Sequence, residues 1–199
     1  MWRAGIKETK ADGSALDEAL SRARAGDEAG FLLLWDALQP RLLRYLQVVG
    51  CEDVDDVAGE TWLQVVRDLP KFKKDSADEF RAWLFTIARH RAIDAARSRK
   101  RFLERILAAG PAQPAASAGN PVEDEVLQLL STQQAIAMVA ALSKDQAEVV
   151  ALRVIAGLNT EAVARLLRKS PGAVRIALRR GLRSLSNDPR IRQIEEVGQ

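Results

Sequence analysis

Cysteine and histidine are almost absent from this sequence: Cys51 and His90 are the sole examples. One cysteine excludes an internal disulfide framework and a cysteine-cluster zinc site. One histidine excludes a multi-histidine metal centre. Aromatic residues make up only 5% of the 199 residues. No apolar run nears the roughly 20 residues of a membrane span, and the opening MWRAGIKETKADGSALDEAL lacks the apolar centre of a signal peptide. Convincing period-two alternation is missing too. So are a phosphate-cradling glycine loop and a nucleophile with a neighbouring base. Asp55 and Asp56 resemble a magnesium pair only superficially and fit a helix start better. These absences lead to the expectation of a soluble, cytoplasmic, all-α protein without membrane insertion, catalytic residues, cofactor or metal.

What is present is helical patterning. Apolar residues make up 47% of the chain, enough to form a core. SALDEALSRARAG has Ser14 as a cap and Gly26 as a stop, and Asp27 opens DEAGFLLLWDALQ, which Pro40 ends or bends. RLLRYLQVVG follows and stops at Gly50. A further helix begins at Asp53; Val54, Val57, Ala58, Thr61, Val65 and Leu69 form its buried stripe, and Pro70 ends it. FRAWLFTIARHRAIDAARSRKRFLERIL makes one long helix or two joined ones. ILAAGPAQPAASAGNPV has no charge, three prolines and two glycines, the composition of a flexible linker. The resulting plan is two small helical domains, 14–105 and 123–186, joined by a linker at 106–122 and followed by a tail at 187–199. Ser143 and Gln146 have the spacing of a capping box in the second domain. In the tail, Asp188 and Pro189 are placed to start a short helix.

The strongest local motif is NTEAVARLLRKSPGAVRIALRRGLRSL. Asn159 or Thr160 caps a first helix. After a short turn Ser170 caps a second, with Pro171 at its first position, where the missing N–H costs nothing. Val174, Leu178, Leu182 and Leu185 lie on one face of this second helix, and Arg175, Arg179 and Arg183 on another, flanked by Arg180. Between 162 and 185 there are seven basic residues, Arg165, Arg168 and Lys169 among them, and no acidic one. A cationic second helix is the design of a helix-turn-helix that enters a major groove. Ser170 and the free N–H groups beside it suit a phosphate. A solvated charged face is the plainer explanation; the density of like charge argues for an anionic partner.

Two further regions carry opposite charge. Arg89, His90, Arg91, Arg97, Arg99, Lys100 and Arg101 form a basic cluster interrupted only by Asp94. Upstream, Arg81 is interleaved with Phe80, Trp83 and Phe85, a combination that suits stacked bases beside a backbone, although helical aromatics are more often core. CEDVDDVAGE is acidic throughout, through Glu52, Asp53, Asp55, Asp56 and Glu60. With Trp62 nearby it fits a protein-docking face, or simply a helix start favoured by the dipole. On this reading the chain alternates two DNA-like poles with one protein-like pole.

DVDDVAGETWLQVVRDLPKF resembles sigma region 2.2, FRAWLFTIARHRAIDAARSRKR resembles regions 2.3 and 2.4, and LSKDQAEVVALRVIAGLNTEAVARLLRKSPGAVRIALRRGLRSL resembles region 4. The chain is similar over most of 14–186 to the extracytoplasmic-function (ECF) RNA polymerase sigma factors of the sigma-70 superfamily. The resemblance implies no enzyme activity. It implies binding to core RNA polymerase, at the β′ clamp helices, through Asp53, Asp56, Val57, Glu60 and Trp62. It implies recognition and opening of the promoter −10 element beside the loop 71–79, with Lys71, Lys73 and Lys74, and by Phe80, Arg81, Trp83, Arg89, Arg91, Arg97, Arg99, Lys100 and Arg101. It implies −35 contact by Arg175, Arg179 and Arg180; the charge and cap pattern adds Arg168, Lys169, Ser170 and Arg183 as DNA-binding candidates. An anti-sigma factor is a possible further partner.

Three residues depart from the family pattern. Gly59 stands where glutamine is frequent, Arg168 where the turn usually has glycine, and Lys169 where an apolar residue is common. A non-glycine residue with left-handed backbone angles is strained by about 1–2 kcal/mol. The competing readings are a helix-turn-helix regulator that never docks on polymerase, and a sigma-like antagonist or interaction protein. A nuclease or recombinase with a DNA-binding tail ranks below both.

Overall fold

The computed structural model describes residues 10–109 and 123–189, with side chains described over 13–106 and 132–189. Among the described residues there is no strand. A first helical cluster comprises α1 (Lys10–Arg24), α2 (Glu28–Val48), α3 (Val54–Asp68) and α4 (Ala77–Ala109). A second comprises α5 (Glu123–Ala140), α6 (Lys144–Val150) running into a π-helical turn (Ala151–Ile155), α7 (Thr160–Leu167) and α8 (Pro171–Ser186). The all-α, two-cluster architecture expected from the sequence is what the chain adopts.

The core of the first cluster grows from the apolar stripes. Leu34, Leu38, Leu42, Tyr45 and Leu46 of α2 are buried against Leu20 of α1, Trp62 and Val65 of α3, and Phe80, Leu84 and Phe85 of α4. Tyr45 meets Phe85 edge to face, ring centroids 5.3 Å apart. Burying a side chain of this size contributes about 1.5–3 kcal/mol, so this stripe explains why α2 does not stop at Pro40. The proline sits on the exposed side of α2, inside one continuous helix. Asp36, whose carbonyl it leaves without a helical partner, is exposed to solvent, and the apolar face outweighs a penalty of about 3 kcal/mol.

Other expectations shift in detail. Ser14 lies inside α1, which already includes Lys10. FRAWLFTIARHRAID belongs to a single 33-residue helix, about 50 Å long at 1.5 Å per residue. Its start is capped by a distant residue: Asp17 Oδ1 of α1 accepts from the Ala77 backbone N–H at 2.6 Å. Ser143 occupies the cap position of α6, but its side chain makes no capping bond. The expected start of a tail helix, Asp188 and Pro189, is described, and Pro189 is helical; the rest of that expected helix lies outside the described residues.

Close helix contact is set by two glycines. A Cβ on Gly30 would stand 2.6 Å from Arg22 Cβ, 2.8 Å from the Ala23 nitrogen and 2.9 Å from the Ala19 carbonyl oxygen. α1 and α2 therefore touch backbone to backbone at this point. Gly181 does the same for α8 against α6: its Cβ would meet Val150 Cγ2 at 2.8 Å. Gly181 takes a buried position of α8 with Val174 and Leu185, whereas Leu182, expected in the buried row, is exposed. For Gly30→Ala, helix propensity would add about 1 kcal/mol, but overpacking against atoms that cannot rotate away costs about 1–3 kcal/mol. Chemical denaturation should show a net loss on the order of 1 kcal/mol.

Candidate functional site

The helix-turn-helix is α7 and α8. Asn159 Oδ1 accepts from the Ala162 N–H at 2.8 Å, and Ser170 Oγ from the Ala173 N–H at 3.2 Å, so both helices begin where side chains replace missing backbone acceptors. Between them Arg168 adopts φ 54, ψ 45, the left-handed region. Its N–H and that of Lys169 close the end of α7 on the Ala164 carbonyl. The turn is thus as tight as a glycine would make it, and Arg168 bears the strain. Val174 and Leu185 point inward, and Arg175, Arg179, Arg180 and Arg183 outward. Among the described residues no ion pair engages Arg179, Arg180 or Arg183; Arg175 Nη2 lies 3.6 Å from Glu161 Oε1. Lys169 Nζ is 2.5 Å from Asp145 Oδ2, which ties the turn to α6.

The acidic and basic regions of the first cluster are not separate poles. α3 and α4 lie side by side. Arg99 pairs with Glu52 and, at 3.7 Å, with Asp53; Arg91 lies 3.5 Å from Glu60 and donates to Gln64 at 2.9 Å. Each carboxylate in these pairs stays exposed. Asp56 is exposed as well, but Val57 and Trp62 are core residues. The Trp62 indole N–H donates to Gln39 Oε1 at 2.7 Å, and its ring packs against Trp35 and Phe31. These two residues hold α3 on α2 from beneath; the surface is made by Asp53, Asp56 and Glu60. Exposed Leu63 and Val66 complete that surface, at 73% and 53% accessibility. Sequence reading passed over them because they fall outside the 54-57-58-61-65-69 stripe, which is itself the signal that they face outward. A Cβ on Gly59 would meet no atom of a neighbouring element within 4 Å.

The −10 candidates divide in the same way. Lys71, Lys73 and Lys74 are exposed, with Lys74 held 2.5 Å from Glu79. Phe80 is wholly buried, and Trp83 is half-buried, stacked on Phe72 with centroids 4.8 Å apart. Arg81 is only 3% exposed: its Nη1 lies 3.4 Å from Asp78 Oδ1 and 3.4 Å from the Gly157 carbonyl oxygen of the second cluster. Arg89 Nε donates to Glu148 Oε1 of α6 at 2.7 Å. Arg97, Arg99, Lys100 and Arg101 remain on the surface of α4, with Arg97 near Asp94 at 3.6 Å and Lys100 near Glu104 at 3.8 Å. Glu148 and Gly157 carry no sequence signal for these contacts. Burial pushes the Cys51 thiol above its ordinary range, away from reactivity.

The first cluster matches the Sigma-70 region 2 model over residues 34–102, and the second matches the Sigma-70, region 4 model over 132–185. The ECF RNA polymerase sigma factor SigD of Mycobacterium tuberculosis is 30% identical over 182 residues, covering 88% of this chain and 84% of SigD. The chain belongs to the ECF RNA polymerase sigma factors. BldN of Streptomyces coelicolor, another of them, is 32% identical over 177 residues; the match covers 88% of this chain and 66% of BldN, so the chain spans just under two thirds of that relative. The fold is that of CnrH in its complex with the cytosolic domain of CnrY, with TM-score 0.59 and 22% identity, covering 86% of this chain and 95% of CnrH. RpoE in its complex with NepR from Bartonella quintana gives TM-score 0.60 at 22% identity, covering 78% and 93%. An ECF sigma factor directs RNA polymerase to promoters and is not itself an enzyme. Among the described residues no helix is long and apolar enough to cross a membrane.

The strained turn gives a direct test. Arg168→Gly removes a left-handed penalty of about 1–2 kcal/mol and adds unfolded-state entropy worth about 0.4–1 kcal/mol. The variant should be more stable by roughly 0.5–1 kcal/mol, visible as a raised Tm.

Proposed function

We propose that this sigma factor docks on core polymerase through α3, opens the −10 element with α4, and reads the −35 element with α8. The observation that carries the proposal is the pairing, in one chain, of a region 2 cluster having an exposed acidic–apolar face with a region 4 cluster having an outward arginine ridge. The unit 14–105 does the docking and the opening, 106–122 is the linker, 123–186 reads upstream DNA, and 187–199 is a tail. Docking uses Asp53, Asp56 and Glu60 with Leu63 and Val66, against the β′ clamp helices. Val57 and Trp62 act from beneath, as packing that sets the angle of α3.

At the −10 element the chemistry is capture, not bond making. Unstacking a base step costs a few kcal/mol, and the exposed edge of Trp83, the loop lysines Lys71, Lys73 and Lys74, and the arginines of α4 offset it by stacking and by phosphate contact. Phe80 and Arg81 support that surface from within. At the −35 element Arg175, Arg179, Arg180 and Arg183 meet the groove, while Arg168, Lys169 and Ser170 lie at the phosphate-facing helix start. The protein works in the cytoplasm, where the polymerase and the promoters are. An anti-sigma factor is a further proposed partner, in keeping with the complexes in which CnrH and RpoE were solved.

Run-off transcription with purified core polymerase and a genomic promoter library tests the whole proposal. Protein-dependent start sites are expected; core binding without any new start site favours an antagonist. Within that assay, Arg179→Ala should weaken protection over the −35 region and lower the log–log salt slope by about 0.9 per lost phosphate contact. Asp56→Arg should reduce affinity for core, read by fluorescence titration. An unchanged core affinity would remove α3 from the docking role.

A further inference from the structure

The two clusters are not merely tethered. α2 packs on α5 and on the π turn, and α4 packs on α7. At this junction two cations assigned above to DNA face protein instead: Arg89 is paired with Glu148, and Arg81 lies against the Gly157 carbonyl. The Arg89 and Glu148 side chains are only 27% and 16% exposed, so this pair is far more enclosed than those along the α3–α4 surface. We infer that the Arg89–Glu148 pair is an autoinhibitory clasp: in the free protein α6 occupies a phosphate-binding cation of α4, and Glu148 and promoter phosphate compete for the same guanidinium. The inference rests on the assignment of Arg89 to DNA made above.

Three features of the junction support it. Glu148 presents a carboxylate to the cation, as an incoming phosphate would. The junction is incompletely filled, holding a cleft of about 460 Å³ lined by Tyr45, Val48, Ala92, Ile93, Leu142 and the clasp itself. The Tyr45 hydroxyl at this cleft is buried with no hydrogen-bond partner. A buried hydroxyl left unpaired is costly, and opening the junction would return it to water. The docking residues Asp53, Asp56, Glu60, Leu63 and Val66 all remain exposed while the clasp is closed. Core polymerase therefore has access to α3 while Glu148 still holds Arg89.

The test uses the full chain with Cys51→Ser and fluorophores placed at exposed Arg44 of α2 and Ser184 of α8. Single-molecule energy transfer reads closure without any DNA. Glu148→Gln and Arg89→Gln should each raise the open population, by a factor of about 2–5 for a partly exposed pair. The charge exchange Arg89→Glu with Glu148→Arg should restore the closed one. Binding of a single-stranded −10 oligonucleotide in the absence of polymerase is the second readout. Glu148→Gln should tighten it by about twofold to fivefold. Arg89→Gln should not, because it loses the phosphate contact together with the clasp. Asp36→Asn, the same charge change outside the clasp, should leave closure and oligonucleotide binding unaltered.

Unchanged transfer efficiency in both single variants overturns the clasp. Equal tightening by Asp36→Asn reduces the effect to general charge and also overturns it. If the junction opens but Glu148→Gln binds the oligonucleotide no better, closure is real and the DNA role of Arg89 fails.

Discussion

The burial of one stripe on α4 is the constraint on which the rest of the molecule depends. Phe80, Leu84, Phe85 and Ala88 are wholly buried, and they fix the rotation of a 33-residue helix about its axis. Once that rotation is set, every cation on the helix has a determined direction. Arg91 and Arg99 face α3, Arg81 and Arg89 face the second cluster, and Arg97, Lys100 and Arg101 face solvent. Loss of large aromatic packing here costs several kcal/mol, whereas an exposed ion pair contributes about 1 kcal/mol or less. Packing thus decides geometry, and charge acts within the geometry that packing allows.

Function follows from that hierarchy. The exposed ion pairs between α3 and α4 are weak and exchangeable, which suits the roles proposed for these surfaces. The enclosed groups do the positioning. Trp62 anchors α3 through Gln39, Asp17 caps α4 from sixty residues away in sequence, and Gly181 lets α8 seat against α6. Among the described residues Arg168 is the one non-glycine position with a positive φ, a left-handed turn made by a residue that does not favour it. The surfaces proposed above to meet DNA are thus held in place by buried contacts that lie behind them.

Much of this was legible in the residues themselves. Periodicity located the buried face of α3, and Asn159, Ser170 and Pro171 marked the helix-turn-helix, because caps and first-turn prolines act within a few residues. The arginine ridge of α8 was equally local. Leu182 was misplaced because a four-residue step reaches the edge of the buried row, where Gly181 takes the inner position for close approach to Val150. Pro40 was read as a stop because its local penalty is visible in sequence, while the opposing burial of α2 is not.

The sequence by itself determined the helical class, the location of the cationic second helix of the helix-turn-helix and the acidic stretch, since these depend on periods of three or four residues and on composition. Only the tertiary structure decided which charges are spoken for. Glu148 lies 59 residues from Arg89, and Gly157 lies 76 residues from Arg81. Pairing at such separations is set by how whole helices dock, which is decided by the shape of the core and is invisible to any local pattern.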